Sequence, residues 1–282
     1  MQPLWTVLAI IKWSENFLRE KGVAAPKHNA EALLAFVLNC SRLDLYLRFD
    51  QPLTPAEREK YKTLLLRRAK REPLQYITGE AWFLSKKFKV TLHTLIPRYD
   101  TEILAETVLQ YLDRAETIID VGTGSGILAV TFAARQKKVY ALDISPEALA
   151  VAAENAAAHG VADKIKFIHA DLLTGFQEQL DGGVFLVANP PYISADEYAE
   201  LEPEVRNHEP RSALLAEDNG LAFYRKILAQ TDVLGETLRG VFFEVGWQQA
   251  AAVAELLQKR FVVPPQTRLD LGGTERVVYT LL

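Results

Sequence analysis

The sequence is poor in cysteine and histidine and has no long uninterrupted apolar stretch. Its 282 residues include one cysteine, Cys40, and five histidines. A single cysteine cannot form an internal disulfide, and no Cys/His cluster has the spacing of metal ligands. We therefore expect neither a disulfide-stabilised secreted fold nor a metal site.

A membrane-spanning segment and a signal peptide are not predicted either. The longest early apolar run, Leu4 to Ile11, has no basic stretch before it and is closed by Lys12. No run approaches the roughly 18 apolar residues that a membrane-spanning helix needs. We expect a cytoplasmic protein without a membrane partner.

The composition is that of an ordinary globular protein, but its charge is unevenly distributed. Hydrophobic residues make up 49% and charged residues 24%, which excludes disordered and fibrous classes. Residues 1–98 carry 17 Lys/Arg and 9 Asp/Glu, whereas residues 99–282 carry 15 and 27. The basic part is compatible with docking to nucleic acid or to an RNA-associated protein. Its densest cluster is nevertheless predicted to be a solvated helix face: Arg67, Arg68, Lys70 and Arg71.

The first 72 residues have the pattern of a small helical domain. Apolar residues from Leu4 to Leu38 recur at helical spacing, and prolines punctuate the chain before a further helical pattern over residues 56–71. Residues 73–97 change to two strand-like runs, Gln75–Thr78 and Phe88–Thr91. This change predicts a β-hairpin linker.

Residues 98–282 alternate apolar β-branched runs with helical patterns. Strands are predicted at 117–121, 139–142, 165–169, 184–188 and 241–245, and helices at 126–134, 146–159 and 221–234. Continuous apolar strands separated by helices indicate an α/β fold with a parallel, doubly wound sheet. A ligand is then expected at the carboxyl ends of the strands.

A glycine-rich turn follows the first of these strands. Gly122, Gly124 and Gly126 precede a helix whose free N–H groups favour an anionic ligand group. The dinucleotide fingerprint requires a third glycine at position 127, which is Ile127, so an NAD dehydrogenase is disfavoured.

Acidic residues follow the next two strands. Asp143 lies about 20 residues beyond the glycines, where a carboxylate accepts ribose hydroxyls, and this role is favoured over capping of the next helix. Asp171 is either close to an adenine ring or a turn residue, and the sequence does not separate these two interpretations.

The tetrapeptide Asn189-Pro190-Pro191-Tyr192 follows the fourth strand. Prolines cannot donate ladder hydrogen bonds, so the chain leaves the sheet with free carbonyl groups. The Asn189 side-chain oxygen and the Pro190 carbonyl are able to accept hydrogen bonds from the two N–H groups of a planar NH2 group. The ring of Tyr192 offers a face on which that planar group is able to stack. The alternative is a simple strand-ending turn.

Together, these motifs resemble class I S-adenosylmethionine-dependent methyltransferases that act on exocyclic or amide nitrogen. Five further segments also match such enzymes: Pro73–Glu80, Ile96–Arg98, Asp100–Glu102, Asn207–Pro210 and Glu275–Val278. With these segments, the chain more closely resembles the bacterial protein-(glutamine-N5) methyltransferases that modify peptide chain release factors. Tyr99 departs from the usual proline of that family.

The resemblance implies a fold, a cofactor, a partner and site residues. Residues 98–282 would form the methyltransferase domain, and residues 1–72 would dock the release factor that presents its Gly-Gly-Gln loop. Asn189, Pro190 and Tyr192 would be catalytic and, with Pro191, would bind the glutamine. S-adenosylmethionine would be bound by Gly122, Thr123, Gly124, Ser125, Gly126, Asp143, Asp171, Leu172 and Asn189.

Other acidic residues are assigned no catalytic role. Glu202, Glu204 and Glu209 are expected on a solvated surface, and Glu244 is expected to be buried behind the site. The main alternative function is an adenine-N6 methyltransferase acting on DNA or RNA, which would use the same tetrapeptide. The acidic balance of residues 99–282 argues against a nucleic-acid partner. A non-catalytic nucleoside-binding scaffold is a further alternative.

Overall fold

The computed structural model describes residues 5–180 and 182–282, so Leu4 lies outside the described residues. Two compact units are present. The first extends to Gly79 and also contains Glu202–His208, and the second contains Glu80–Leu201 and Glu209–Leu282.

Helices and strands are numbered here in chain order. The helices are α1 Val7–Glu20, α2 Pro26–Leu38, α3 Arg42–Leu47, α4 Pro55–Ala69, α5 Leu74–Thr78, α6 Tyr99–Gln110, α7 Ile127–Ala133, α8 Pro146–Ala158, α9 Ala195–Glu200, α10 Pro203–His208, α11 Ala222–Gln230 and α12 Ala250–Arg260. The strands are β1 Glu80–Phe83, β2 Lys86–Lys89, β3 Thr117–Val121, β4 Lys138–Asp143, β5 Ile165–His169, β6 Val184–Ala188, β7 Leu238–Glu244, β8 Gln266–Leu269 and β9 Glu275–Leu281.

The first unit is helical, as the apolar spacing predicts. Helix α4 begins with a capping box in which Thr54 and Glu57 satisfy each other's backbone N–H groups, and Pro55 occupies the first helical position. Side chains from α1, α2 and α4 form one apolar core, which includes Val7, Leu33 and Leu65. Helix packing therefore supplies the core of this unit.

The basic cluster at the end of α4 is solvated only in part, since Lys70 is exposed as predicted but Arg68 and Arg71 pair with Glu204. Arg68 is only 5% exposed, and its guanidinium bonds to the Asn29 side chain and to Glu204. Arg71 makes two hydrogen bonds to Glu204, at 2.6 and 2.5 Å. Glu204 is therefore not solvated either, whereas the side chain of Glu202 is 78% exposed.

Electrostatics keep Glu204 ionised in this setting. Burial favours its neutral form, but the hydrogen bonds from Arg71 and Arg68 outweigh that effect, and the pKa of Glu204 is lowered. Ion pairs and hydrogen bonds thus hold α10 within the first unit, although its sequence lies far from the other helices.

The predicted hairpin exists, but its first strand is misplaced. Residues 75–78 belong to helix α5, in which the N–H groups of Tyr76 and Ile77 bond to the Pro73 carbonyl. Gly79, with a φ of 75°, ends this helix in the left-handed region. The hairpin is formed by β1 and β2 instead. Burial of Ile77 against the helical core outweighs the strand propensity of the aromatic and β-branched residues.

The second unit contains a seven-stranded sheet in the order β5-β4-β3-β6-β7-β9-β8. The first five strands are parallel, as predicted, but β9 pairs antiparallel with both β7 and β8. Two apolar clusters lie on opposite faces, one including side chains of α6, α7 and α8, the other including side chains of α11 and α12. The doubly wound α/β prediction is therefore confirmed, with an antiparallel edge that it omits. In the described parts of the chain, no helix is long and apolar enough to cross a membrane.

The ion pairs of Glu204 generate a stability prediction. Glu204→Gln leaves the buried Arg68 without its charged partner, while Asn29 and the Glu72 carbonyl remain bonded to it. We expect a loss of about 2–3 kcal/mol in the free energy of unfolding, measured in urea through the tryptophans of the first unit. The control Glu202→Gln should cost less than about 0.5 kcal/mol because this side chain is exposed. Equal losses for both variants would contradict the prediction.

Candidate functional site

A cavity of about 270 Å³ lies within the second unit at the carboxyl ends of β3, β4 and β6. The segments that follow these three strands all contribute to it. Its lining includes Gly122, Thr123, Gly124, Ser125, Asp143, Asp171, Leu172, Asn189, Pro190 and Pro191, together with Ile96, Pro97, Arg98, Thr101, Pro210 and Phe223. All predicted site residues except Gly126 and Tyr192 therefore line one cavity.

The glycine turn is held against β4 by its backbone. The N–H groups of Gly122 and Thr123 both donate to the Leu142 carbonyl, at 2.8 and 2.9 Å. Gly122 and Gly124 have φ values of 75° and 56°, and a Cβ at either would meet nothing within 4 Å. Open space at these positions lets a ligand approach the backbone closely.

Gly126 has a different role from the other two glycines. Its φ is 80°, and a Cβ there would lie 2.9 Å from the Cβ of Ala152. Gly126 therefore permits the start of α7 to pack closely against α8, and it does not line the cavity. Its predicted contact with a cofactor remains a prediction.

The carboxylate of Asp143 connects two backbone segments. Its Oδ2 accepts the Gly124 N–H at 2.8 Å, and its Oδ1 accepts the Ser145 N–H at 2.9 Å. Burial raises the pKa of Asp143, although these N–H groups oppose the increase. Each carboxylate oxygen retains a further lone pair that a ligand hydroxyl is able to use. Capping of α8 is carried out by Ser145, whose hydroxyl accepts the Ala148 N–H.

Asp120 lies beneath the glycine turn and is completely buried. Its Oδ2 accepts hydrogen bonds from the Thr123 hydroxyl and the Ala129 N–H, while Oδ1 has no partner among the described residues. Burial raises the pKa of Asp120 to about 7. Asp120 therefore holds the turn in place from below.

The segment after β5 supplies Asp171 and Leu172. Asp171 is exposed, and its carbonyl accepts the Thr174 N–H, so it forms part of a turn and also lines the cavity. Leu172 has a φ of 54°, a left-handed conformation that is unfavourable for a leucine. Both interpretations of Asp171 are thus compatible with its position.

The Asn-Pro-Pro-Tyr segment divides between the cavity and the protein interior. Asn189 Nδ2 donates to the Thr101 Oγ1 at 3.0 Å, and Pro190 is buried in the cavity wall. Tyr192 is not among the described residues that line the cavity, since its hydroxyl faces Glu244 Oε1 at 3.4 Å. Glu244 is 1% exposed, which confirms its predicted burial, and Phe185 lies in the apolar core.

Glu209 is not on a solvated surface, contrary to the prediction. It is 6% exposed, its Oε2 accepts the Ile96 N–H at 3.1 Å, and its Oε1 accepts from Arg98. Residues 96–98 and Pro210 line the cavity, so this ion pair fixes part of the wall. The run of acidic residues in the sequence does not show which carboxylate is paired in the fold and which is exposed.

Sequence reasoning from chemistry alone also misses Thr101 and Phe223. Thr101 lies beside Asn189, and Phe223 contributes an aromatic ring to the cavity lining. Thr101 belongs to one of the segments that carry the family resemblance, which is the signal that points to it. Phe223 belongs to a helical pattern in which it cannot be distinguished from a packing residue.

Comparison with known proteins finds matches over almost the whole chain. The family model described as PrmC N-terminal domain matches residues 9–79, and the one described as Methyltransferase small domain matches residues 99–202. The release factor glutamine methyltransferase of Chlorobaculum tepidum is 40% identical, covering 96% of this chain and 97% of that protein. The corresponding enzyme of Geobacter sulfurreducens is 36% identical (98% and 96%), and that of Bacillus subtilis is 34% identical (98% and 98%).

Solved structures with the same fold are methyltransferases. The catalytic domain of hMettl16, solved in complex with MAT2A 3'UTR hairpin 1, aligns with a TM-score of 0.56 at 17% identity, covering 80% of each chain. The human methyltransferase 10 domain containing protein aligns with a TM-score of 0.51 at 17% identity, covering 78% of this chain and 96% of that chain. At this identity the likeness concerns the fold.

The burial of Asp120 generates a prediction about pH. Because its pKa is about 7 in the folded chain and 3.8 in its ordinary setting, the folded protein holds a proton that the unfolded chain has lost between these values. This carboxyl therefore lowers the free energy of unfolding as the pH rises through that window. Asp120→Asn lacks this titration, so its free energy of unfolding relative to that of the unaltered chain should increase by about 1–3 kcal/mol from about pH 5 to pH 8. Chemical unfolding of both proteins at each pH measures this difference. A pH-independent difference would contradict the prediction.

Proposed function

The chain belongs to the family of release factor glutamine methyltransferases, and on this premise we propose that its cavity carries out methylation of a release factor glutamine. The methyl group is transferred from S-adenosylmethionine to the side-chain amide nitrogen, N5, of the glutamine in the Gly-Gly-Gln motif. One observation carries the proposal: Asn189 and Pro190 share a single cavity with the glycine turn and Asp143.

The chain's residues fit S-adenosylmethionine. The open space beside Gly122 and Gly124 admits the ligand to the backbone, and Asp143 supplies acceptors for ribose hydroxyls. Asp171 and Leu172 line the part of the cavity that we assign to the adenine. When bound, the cofactor supplies an electrophilic methyl group attached to a sulfonium.

Asn189 and Pro190 are assigned to the substrate amide. The Asn189 oxygen and the Pro190 carbonyl accept the two N–H groups of the glutamine, which aligns its nitrogen for an in-line attack. The same acceptors stabilise positive charge as it develops on the nitrogen. Positioning is decisive because an amide nitrogen is a poor nucleophile, and it contributes up to about 7–11 kcal/mol in favourable cases.

A strong base is not needed for this reaction. The methylated amide cation is acidic enough to lose its proton to a weak acceptor or to water. Pro191 and Phe223 contribute apolar surface to the cavity, which limits water around the reacting groups. The predicted stacking of Tyr192 on the substrate remains part of the proposal, although its hydroxyl bonds to Glu244.

We also propose that the helical first unit docks the body of the release factor. This unit has 14 Lys/Arg and 10 Asp/Glu, a net charge of +4, and its exposed apolar side chains include Trp13 and Phe49. Such a surface is suited to a protein partner of opposite charge. The substrate also assigns the chain to the cytoplasm, where release factors act.

The adenine-N6 alternative is not favoured. It uses the same tetrapeptide, but relatives that align over nearly the whole chain are release factor glutamine methyltransferases. The acidic balance of residues 99–282 also disfavours a nucleic-acid substrate.

Cofactor binding is tested at Asp143. Asp143→Ala removes the acceptors assigned to the ribose and leaves the Gly124 N–H without its acceptor. The binding free energy of S-adenosylmethionine, measured by calorimetry, should therefore become less favourable by about 1.5–3 kcal/mol. Asp163→Ala, an exposed position outside the cavity lining, is the matched control and should bind normally. Unchanged affinity in a folded Asp143→Ala variant would remove Asp143 from the site.

The chemistry is tested at Asn189. Asn189→Ala removes one acceptor, so at saturating cofactor it should lose methyl transfer by about 10²–10³-fold. Asn189→Asp keeps an acceptor, to which Thr101 is able to donate, and should retain more activity than the alanine variant despite the cost of a buried charge. Single-turnover rates on a release factor at saturating cofactor, with mass analysis of the Gly-Gly-Gln peptide, measure both. An alanine variant within a few-fold of the unaltered chain would make Asn189 a turn residue only.

A further inference from the structure

The two prolines of the Asn-Pro-Pro-Tyr segment make its position depend on support from other residues. Strand β6 ends at Ala188, and neither Pro190 nor Pro191 has a backbone N–H to donate. The Pro190 carbonyl must nevertheless point into the cavity if it is to accept a substrate N–H. The residues that follow the prolines therefore need an anchor that keeps this carbonyl in place.

Gln249 supplies such an anchor. It lies immediately before α12, and its Nε2 donates to the Tyr192 carbonyl at 2.9 Å. The same NH2 group donates to the Asn219 carbonyl at 3.3 Å, while Oε1 accepts the Gly246 N–H at 3.1 Å. A backbone N–H only donates and a carbonyl only accepts, so a single orientation of the Gln249 amide satisfies all three bonds. The side chain therefore joins the end of the Asn-Pro-Pro-Tyr segment to two other parts of the second unit.

Two glycines allow these segments to approach each other closely. A Cβ at Gly220 would lie 2.1 Å from the Tyr192 carbonyl oxygen and 2.2 Å from Gln249 Nε2. A Cβ at Gly246 would lie 2.8 Å from Gln249 Oε1 and 2.9 Å from Tyr192 Cδ2. The Gln249 amide is therefore packed against backbone on both sides and has little freedom to change its partners.

The turn before α11 has an unfavourable backbone conformation at the same place. Asp218, Asn219 and Gly220 have φ values of 55°, 52° and 85°, so three successive residues are left-handed. Such conformations are uncommon for residues other than glycine and persist where the surrounding structure fixes them. The bond from Gln249 to the Asn219 carbonyl helps to fix this turn, after which α11 brings Phe223 into the cavity lining.

We propose that Gln249 is a positioning residue for methyl transfer. Its bond to the Tyr192 carbonyl holds the Asn-Pro-Pro-Tyr segment, so that the Asn189 oxygen and the Pro190 carbonyl face the substrate amide. Its bond to the turn before α11 keeps the aromatic part of the cavity wall beside these acceptors. The inference rests on the proposed function and adds a residue that does not itself line the cavity.

The first experiment compares Gln249→Met with Gln249→Glu in single turnovers, with cofactor saturating and enzyme in excess over a release factor. Methionine keeps the length of the side chain but removes all three bonds, so the maximal rate constant should fall about tenfold to 10²-fold. Glutamate still accepts the Gly246 N–H, but an ionised carboxylate cannot donate to the Tyr192 carbonyl, so its loss should be at least as large. This variant does not require the methionine variant to fold. A rate constant in Gln249→Glu within about threefold of the unaltered chain would overturn the proposal.

A purely structural role would change other quantities. Partial unfolding lowers the concentration of active enzyme, which raises the apparent half-saturating concentration but leaves the maximal rate constant unchanged. Cofactor affinity should stay within about twofold in both variants, because the glycine turn bonds to Leu142 and Asp143 and not to Gln249. A change confined to the half-saturating concentration would make Gln249 a structural residue and overturn the proposal.

Gln258→Met is the matched control on the same helix. The Gln258 Nε2 also donates to two backbone carbonyls, both at 3.4 Å, but these belong to Phe261 and Val262 on an exposed part of the chain. Its maximal rate constant should stay within about twofold of the unaltered chain. A loss equal to that of Gln249→Met would overturn the proposal, since the effect would not depend on the bond to Tyr192.

A double variant tests whether Gln249 acts through the proposed acceptors. If Gln249 places Asn189 and Pro190, the loss caused by Gln249→Met should be smaller in an Asn189→Ala chain than in the unaltered chain. Losses that multiply in full would overturn the assignment of Gln249 to these acceptors.

Failure of the proposed function gives a different result. If the unaltered chain binds S-adenosylmethionine but leaves the Gly-Gly-Gln peptide of a release factor unmethylated, the assigned substrate is wrong, and the positioning role with it. If the unaltered chain methylates that peptide and the Gln249 variants match the Gln258→Met control, only the positioning role is wrong.

Discussion

The register of three parallel strands is the constraint on which the rest of the site depends. Val121 on β3 lies opposite Leu142 on β4 and opposite Ala188 on β6. The next residue of each strand therefore emerges at the same level of the sheet, and these residues are Gly122, Asp143 and Asn189. A slip of one residue in either pairing would turn a whole strand over and separate the acceptors from the glycine turn. Burial of both faces of the sheet fixes that register.

The sequence predicts this part of the molecule well because the physics is local. Continuous apolar strands, glycines at a strand end and a proline pair each have a direct structural meaning, and the parallel topology brings them to one edge. The residue pattern of β9 does not predict an antiparallel strand, although its Val277 and Val278 are buried. A short apolar run does not show its direction, which depends on the strand beside which it folds.

The environments of the three carboxylates do not follow from the sequence. Glu202, Glu204 and Glu209 lie within eight residues, yet one is exposed, one pairs with Arg68 and Arg71, and one pairs with Arg98. Their partners are more than 100 residues away in sequence, so no spacing rule relates them. Aromatic and β-branched propensity likewise misplaced residues 75–78, because burial against a helical core decided their conformation.

The proposed reaction edge of the sheet presents hydrogen-bond acceptors rather than a base to the substrate amide. An acceptor array works only if each polar group points one way, and a neutral amide such as that of Asn189 has both a donor end and an acceptor end. In the structure Asn189 Nδ2 donates to Thr101 Oγ1, which leaves Oδ1 as the end that is able to accept from a substrate N–H. Glu244 is 1% exposed and lies behind this edge, where its Oε1 faces the Tyr192 hydroxyl. This acid therefore contacts the Asn-Pro-Pro-Tyr segment from the interior, and the acceptors assigned to the substrate amide carry no net charge.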